Sequence, residues 1–486
     1  MNLQKYHFLN LFLLLAFLPG LSYSQDTIRI DFNKIMKSTT PEGAASANLC
    51  WLLDSDIKRP NPHKSFAEAI NELGCGSLRF PYGHLADNYL WHTAPYDNTQ
   101  NGLKPAVATK TQTPAQWDWA TNEDGTFMSA MDFDEYMSLC ARLNIKPLVV
   151  VNALSFKYKG GPTLNELVTS AAEWVKYAKR KNYQVGYWQI GNEVDHHPKL
   201  ISKDEYVDAY QQISAAMKAV DPNIKVGPGI LSNVAFFKKI ITQTPDLIDF
   251  TSCHQYLWAY KESCKNYELW KEYNDPFIPN VIKMRNAVHQ SSKPDMEILI
   301  TETGVSPSGQ GMGNINNVYK ALWWFEVLMN EMNMPNVSYI YNWGTHSPWK
   351  GYQDDESDDV SVLLRVDNNA RKPTAEVIKI VNEHFMKHCV HTSNNSPYIR
   401  TYASIDEGNK ECSVFLMNKN TVPSRVVLQI QNMPSKLSSL NFSGIQGENP
   451  LDKNFEESTK MELRVLCEVI AEVVIPALSI AVLHSN

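Results

Sequence analysis

From residue 44 to residue 343 the chain alternates between two hydrophobic rhythms. Short, nearly continuous apolar runs recur at 44–50, 77–80, 146–151, 184–190, 225–227, 248–254, 297–301 and 337–343. Runs of this length between polar or turn residues predict buried strands. Between most of them lie longer stretches with apolar residues at helical spacing. Segment 66–74 ends on Gly74, a helix-closing signal. Segment 132–143 keeps the helical spacing, and so does 163–181, through Leu164, Leu167, Val168, Ala171, Ala172, Val175 and Ala178. Segment 206–220 stops at Asp221-Pro222, and 318–332 is a further helix. Eight strands alternating with helices predict an α/β fold, a (β/α)8 TIM barrel. No repeat of solenoid period is present.

The rhythm changes after about residue 388. Short alternating strands at 398–403, 411–418, 425–431, 461–465 and 477–483 are separated by Pro, Gly, Ser and Asn. They predict a C-terminal antiparallel β-sandwich over 389–486, with the barrel occupying 37–388. Ile28, Ile30 and Phe32 alternate near the start, so 25–36 is expected to add an N-terminal strand to that sandwich and protect an edge. Residues 1–24 carry Lys5, an apolar stretch over 8–18, and Ser22 and Ser24 at the positions a signal peptidase reads. That is a signal-peptide pattern, with cleavage near Ser24 and a secreted or periplasmic product. The apolar stretch is about half of the roughly 20 residues a membrane span requires, and no later segment is suited to span a bilayer.

Composition narrows the partners. The chain is 43% hydrophobic and 20% charged, ordinary for a globular protein, with a net charge of −7 and no basic cluster. That argues against nucleic acid. Eight Cys in 486 residues do not make a disulfide scaffold. Cys50, Cys75, Cys140 and Cys253 sit in apolar runs and read as small buried hydrophobes. No Cys pair has zinc-finger spacing, and no cofactor is expected. Twelve Trp suit a carbohydrate partner. Oligomeric state is left open.

Two Glu stand at predicted strand ends, where barrel active sites collect. Tyr187-Trp188-Gln189-Ile190-Gly191-Asn192-Glu193 ends the fourth strand, and Glu297-Ile298-Leu299-Ile300-Thr301-Glu302 ends the seventh. Retaining glycoside hydrolysis needs such a pair: one carboxyl protonates the leaving oxygen and the other attacks the anomeric carbon, about 5–5.5 Å apart.

Asn-Glu after strand four with Glu after strand seven resembles the signature of clan-A glycoside hydrolases, the 4/7 superfamily. The resemblance implies Glu193 as acid/base and Glu302 as nucleophile. It implies that Asn192 binds the substrate hydroxyl next to the anomeric carbon. Arg79, in Leu78-Arg79-Phe80-Pro81, matches the clan's strand-two Arg, expected to orient and ionise the nucleophile. His254 and Tyr256, ending strand six, match positions that hydrogen-bond near the nucleophile; which of the two contacts Glu302 is left open. Trp343, ending strand eight, matches the clan's sugar-stacking Trp. With Glu302 ionised, Glu193 is expected to stay protonated, because a second buried negative charge is costly.

The layout is most similar to α-L-arabinofuranosidases and related two-domain β-xylosidases and agarases. The stretch from Leu78 to Trp91 looks like the arabinofuranosidase strand-two loop. Lys372-Pro373-Thr374-Ala375-Glu376-Val377 resembles the helix leading into the sandwich, and Ile475-Pro476-Ala477-Leu478-Ser479 its last strand. The chain departs from that pattern around the site. It has Pro81-Tyr82-Gly83-His84 where those enzymes commonly have Pro-Gly-Gly-Asn, and Thr301-Glu302-Thr303-Gly304 rather than Asp-Glu-Trp-Asn. Tyr82 and His84 are therefore expected to reshape the −1 subsite. The implied activity is cleavage of O-glycosidic bonds in a plant or algal polysaccharide or its oligosaccharides. The alternatives are a non-catalytic carbohydrate-binding barrel, a metal-dependent hydrolase using His254 and His196, and an inverting mechanism. His196-His197 reads as cleft lining. The acidic run 354–359 reads as a solvated loop or a calcium site. Trp91, Trp117, Trp119 and Trp258 are candidates for outer sugar subsites.

Overall fold

The computed structural model describes residues 26–52, 54, 56, 64–97, 102–112, 121–127, 131–305, 316–346, 362–458 and 460–485. The 1–24 segment, Trp117, Trp119 and the 354–359 run lie outside the described residues. Among the described residues no helix is long and apolar enough to cross a membrane.

Eight parallel strands form the first unit. They are Ala45–Asn48, Ser77–Phe80, Lys146–Val151, Tyr187–Ile190, Val226–Pro228, Phe250–Tyr256, Glu297–Gly304 and Val337–Asn342, referred to below as strands one to eight. Strands five to one run in hydrogen-bonded sequence, and strand one continues to eight, seven and six. The barrel closes loosely between five and six. There the Asp249 amide donates to the Val226 carbonyl at 2.8 Å, and Ser252 Oγ accepts from Ile230 N at 2.6 Å. Leu148, Val150, Tyr187, Phe250, Leu299, Tyr339 and Tyr341 pack together as a separate cluster. Alternation along each strand sends their neighbours outward to the helices.

The helices start where the sequence can satisfy their first amides. Ser65/Glu68, Asp132/Glu135, Thr163/Glu166 and Ser202/Glu205 each form a reciprocal capping box. Losing such a cap costs about 1 kcal/mol. The Ser202 box starts the fourth helix at Lys203, three residues before the apolar pattern alone indicated.

The predicted sandwich takes the form of one curled ten-stranded sheet. In order its strands are Glu456–Glu457, Asn441–Gln446, Ser479–His484, Cys412–Asn418, Ile399–Ile405, His388–Asn394, Thr27–Lys37, Ser424–Gln431, Ile470–Ile475 and Glu462–Cys467. The N-terminal strand lies inside the sheet rather than along its edge. It runs antiparallel to His388–Asn394 and parallel to Ser424–Gln431. Ile28, Ile30 and Phe32 enter the core of the curl with Val414, Leu428 and Val473.

The helix Val318–Met332 joins the two units. It is apolar around most of its circumference and nearly all of it is buried, as a helix between two packing surfaces must be. Phe325 meets Tyr402 and Phe415 of the sheet. Beside it Glu326 accepts from Trp270 Nε1 at 3.0 Å and Arg400 Nε, and lies 3.4 Å from Lys419 Nζ. Lys419 also sits 4.3 Å from the Trp270 ring centre.

Candidate active site

Glu193 and Glu302 meet at the C-terminal mouth of the barrel. Strand four runs into Gly191, whose φ of +75° turns the chain sharply; Glu193 follows at φ 43°. A non-glycine residue in this left-handed region carries a small strain of a kind found at functional sites. On strand seven the pairing register with strand six shifts between Ile300 and Glu302, and such irregularities re-aim side chains. One oxygen of each carboxylate and a ring nitrogen of His254 lie within 4.8 Å of one another.

Arg79 is fully buried and organises the floor. Its guanidinium donates to Glu302 Oε1 at 3.0 Å, Asn48 Oδ1 at 2.6 Å, Asn192 Oδ1 at 2.6 Å and Gln189 Oε1 at 3.3 Å. One side chain thus ties strand two to strands one, four and seven. The bond to Asn192 Oδ1 fixes the amide's orientation. Asn192 Nδ2 is buried with no protein partner among the described residues, so it is left to donate to a ligand.

The strand-six pair divides between the carboxylates. Tyr256 donates its hydroxyl to Glu302 Oε2 at 2.7 Å. Burial, then the nearby Glu302 and Glu193 charges, push the Tyr256 hydroxyl well up, so it remains a donor. His254 instead places Nδ1 2.7 Å from Glu193 Oε1 and 3.6 Å from Glu302 Oε2, with Nε2 2.9 Å from Thr301 Oγ1. Burial pushes the Glu193 carboxyl up. The hydrogen bond and charge of His254, with His196 and His84 beyond, outweigh it and hold Glu193 below the ordinary range. This corrects the expectation of a protonated Glu193: that argument weighed carboxylate against carboxylate and did not include the imidazole beside them. An ionised Glu193 can only accept, so in that state Nδ1 carries the shared proton.

The strand-two loop completes the site. The Gly83 backbone lies against Glu302: a Cβ there would meet its Oε1 at 2.4 Å. Tyr82 is fully buried at φ 139° and meets Trp343 edge to face at 5.4 Å. Trp343 is partly exposed at the end of strand eight. Trp258 is 44% exposed and stacks on Tyr256 at 5.3 Å and 11°, which extends the aromatic wall outward. Trp91 does not line an outer subsite. It is buried, stacks on Trp174 at 5.7 Å and donates to the Ser170 carbonyl. Its sequence neighbours suggested a loop, but the loop folds back onto the third helix.

Asp87 is the site residue that sequence reasoning did not single out. It is buried, its Oδ1 accepts from Asn192 N at 3.3 Å, and its Oδ2 has no protein partner among the described residues. Burial above all holds its carboxyl well above the usual range, with Glu193 adding to the rise. The available signal was an Asp between apolar Ala86 and Tyr89 in a loop beside the catalytic strands. Asn48, which shares Arg79, was legible only as a polar residue at a strand end.

Among the described residues, Glu193, His254 and Glu302 form a group of three metal-ligand types. Their atoms are already engaged: both His254 nitrogens face protein oxygens and both Glu302 oxygens accept from Arg79 or Tyr256. The Arg79 charge also opposes a cation there. The arrangement is suited to moving protons and holding a carboxylate nucleophile.

Residues 69–275 match the model of the alpha-L-arabinofuranosidase 1 domain. A probable alpha-L-arabinofuranosidase C from Aspergillus fumigatus is 26% identical over 224 residues, 40% of each chain. An intracellular exo-alpha-(1->5)-L-arabinofuranosidase from Acetivibrio thermocellus is 22% identical over 260 residues, 49% of this chain and 47% of that one. The match thus spans less than half the length of these relatives. The GH51 alpha-L-arabinofuranosidase structure from Thermotoga petrophila superposes with a TM-score of 0.68 at 16% identity, covering 95% of this chain and 100% of that one. A family 44 xyloglucanase from Paenibacillus polymyxa gives 0.63 at 13% identity, covering 94% and 99%. Sequence over residues 69–275 and fold over nearly the whole chain thus make this protein similar to the arabinofuranosidase-like two-domain glycoside hydrolases.

Proposed function

We propose that this chain hydrolyses O-glycosidic bonds in a plant or algal polysaccharide or its oligosaccharides by double displacement. Glu302 acts as nucleophile and Glu193 as acid/base. The observation that carries the reading is the approach of the two carboxylates, one oxygen of each within 4.8 Å of the other. That suits direct attack on the anomeric carbon and leaves too little room for the interposed water of an inverting enzyme.

The surrounding bonds give each carboxylate its role. Arg79 and Tyr256 fix both oxygens of Glu302, so its attack needs little reorganisation. Bound sugar removes water from Glu193, which raises the cost of its charge and favours its uptake of a proton. Glu193 then protonates the leaving oxygen while Glu302 bonds to the anomeric carbon. In the second half Glu193, again ionised, accepts a proton from water, which attacks the same carbon and releases Glu302. Asn192 Nδ2 is free to hold the neighbouring hydroxyl, and Trp343 offers an aromatic face. The 1–24 leader pattern supports an exported product.

Because the matched relatives are named arabinofuranosidases, α-L-arabinofuranosides head the substrate panel. Tyr82 and His84 stand where that pattern has Gly and Asn, so pyranosides belong in the panel too. The test is hydrolysis of aryl glycosides by the full chain, with NMR of the first-formed anomer. Turnover with retention, abolished in Glu302→Ala, is expected. Inversion rejects double displacement, and no turnover across a broad glycan panel favours the carbohydrate-binding alternative.

A further inference from the structure

Catalysis as proposed uses one histidine, but four surround Glu193. His84, on the turn after strand two, is within electrostatic reach of Glu302, Glu193 and His197. His197 in turn reaches His196 and Glu193, and its ring meets that of His196 edge to face at 5.8 Å. His196 opens onto a cavity of about 320 Å3 that Ser232, Asn233 and Lys283 also line. The cavity adjoins the catalytic pair. The single turn Val194–His196 leads into it from Glu193, and the Leu231 carbonyl on its wall accepts from His254 N at 2.7 Å.

Asp195, the one acid lining this cavity among the described residues, is already occupied. Asp195 accepts from the amides of Leu231, Ser232 and Asn233 at 2.7, 3.0 and 2.8 Å. What remains to face a ligand is an imidazole, an ammonium and small polar groups. Charge-assisted bonds from such donors favour anionic oxygens over neutral hydroxyls.

We propose that His196, Lys283 and the adjoining His197 form a leaving-group subsite for an acidic sugar, one bearing a carboxylate or a sulfate ester. The inference rests on the hydrolase reading: Glu193 protonates the leaving oxygen, so the departing sugar lies on the Glu193 side, away from Glu302. The turn that follows Glu193 carries His196 into the cavity that Lys283 also lines, on that side.

The test is calorimetric titration of the full chain with three probes: a galacturonic acid disaccharide, a disaccharide carrying galactose 6-sulfate, and neutral galactobiose. One acidic probe is expected to bind about tenfold more tightly than the neutral one, and the winner identifies carboxylate or sulfate. The preference should disappear in about 1 M salt and in a His196→Ala/Lys283→Ala variant whose circular dichroism matches the wild type. Lys283→Met alone, an exposed change that spares the fold, should lose part of it. Equal binding of the three probes, no binding at all, or a preference that survives the double variant overturns the subsite. Aryl glycoside hydrolysis is scored separately. Turnover without an acidic preference overturns the subsite alone, whereas an acidic preference without turnover overturns the hydrolase reading.

Discussion

His254 Nδ1 stands 2.7 Å from Glu193 Oε1 and 3.6 Å from Glu302 Oε2, so one imidazole faces both carboxylates of the pair while bonding closely to only one. Its effect is to hold Glu193 in its charged form in the free protein. The acid limb of catalysis therefore depends on a group that does not itself touch the leaving oxygen.

A pH profile tests this. Loss of the Glu193 proton sets the alkaline limb of kcat/KM, and His254 lowers the Glu193 value, so the wild-type optimum should lie on the acid side of neutrality. His254→Ala removes the downward pull and leaves the upward effect of burial. The alkaline limb should then move to higher pH while the maximal rate falls by about 10-fold or more. A limb that stays fixed or moves down rejects the role given to His254.

Gly83 sets a steric limit on the nucleophile. A methyl group there would reach within 2.4 Å of Glu302 Oε1, so the carboxylate must shift or the loop must move. Misplacement by about 1 Å costs on the order of 100-fold in rate. Gly83→Ala should show that loss in kcat with a melting temperature close to the wild type. Unchanged kcat would mean that the loop yields freely.

Asp87 should make stability fall as pH rises. Its folded value is raised, so its contribution is complete below the unfolded value of about 3.9 and is lost as pH climbs toward the folded one. Asp87→Asn keeps the acceptor for Asn192 N and removes the titration. The variant's melting temperature should gain on the wild type progressively above pH 4. A difference that is constant with pH would show that Asp87 is ionised in the fold.

Glu326 compensates Arg400 and Lys419 at the junction of the barrel and the sheet. Removing it leaves the buried Lys419 and the largely buried Arg400 without their carboxylate. Glu326→Ala should cost about 3–5 kcal/mol in denaturant unfolding. A loss within surface-substitution range would show that water reaches the junction.

What the sequence disclosed follows the range of the interactions involved. Strand ends and the two glutamates are local signals: Ile190-Gly191-Asn192-Glu193 announces its own turn. The partner of His254 was not legible, because strands four and six are brought together only by closure of the barrel. The same long-range placement put the imidazole next to Glu193 and changed its favoured charge. Trp91 was misplaced because its burial depends on Trp174, a residue on a different element. The curled sheet was legible as strands but not as an order, since the place of Thr27–Lys37 between two distant strands leaves no mark in its own alternation.

That placement has a consequence for the order of synthesis. Ile30 pairs with Thr392 on one side and Ile430 on the other. Both partners of this strand are made after the barrel, so Ile28, Ile30 and Phe32 must wait for their sheet neighbours until the whole barrel has left the ribosome. The strand then joins the two halves of the sheet, so the second unit cannot be completed before the first is in place. A nascent chain stopped after the barrel would carry this strand without either sheet partner, and a chain lacking it would leave the sheet split between His388–Asn394 and Ser424–Gln431.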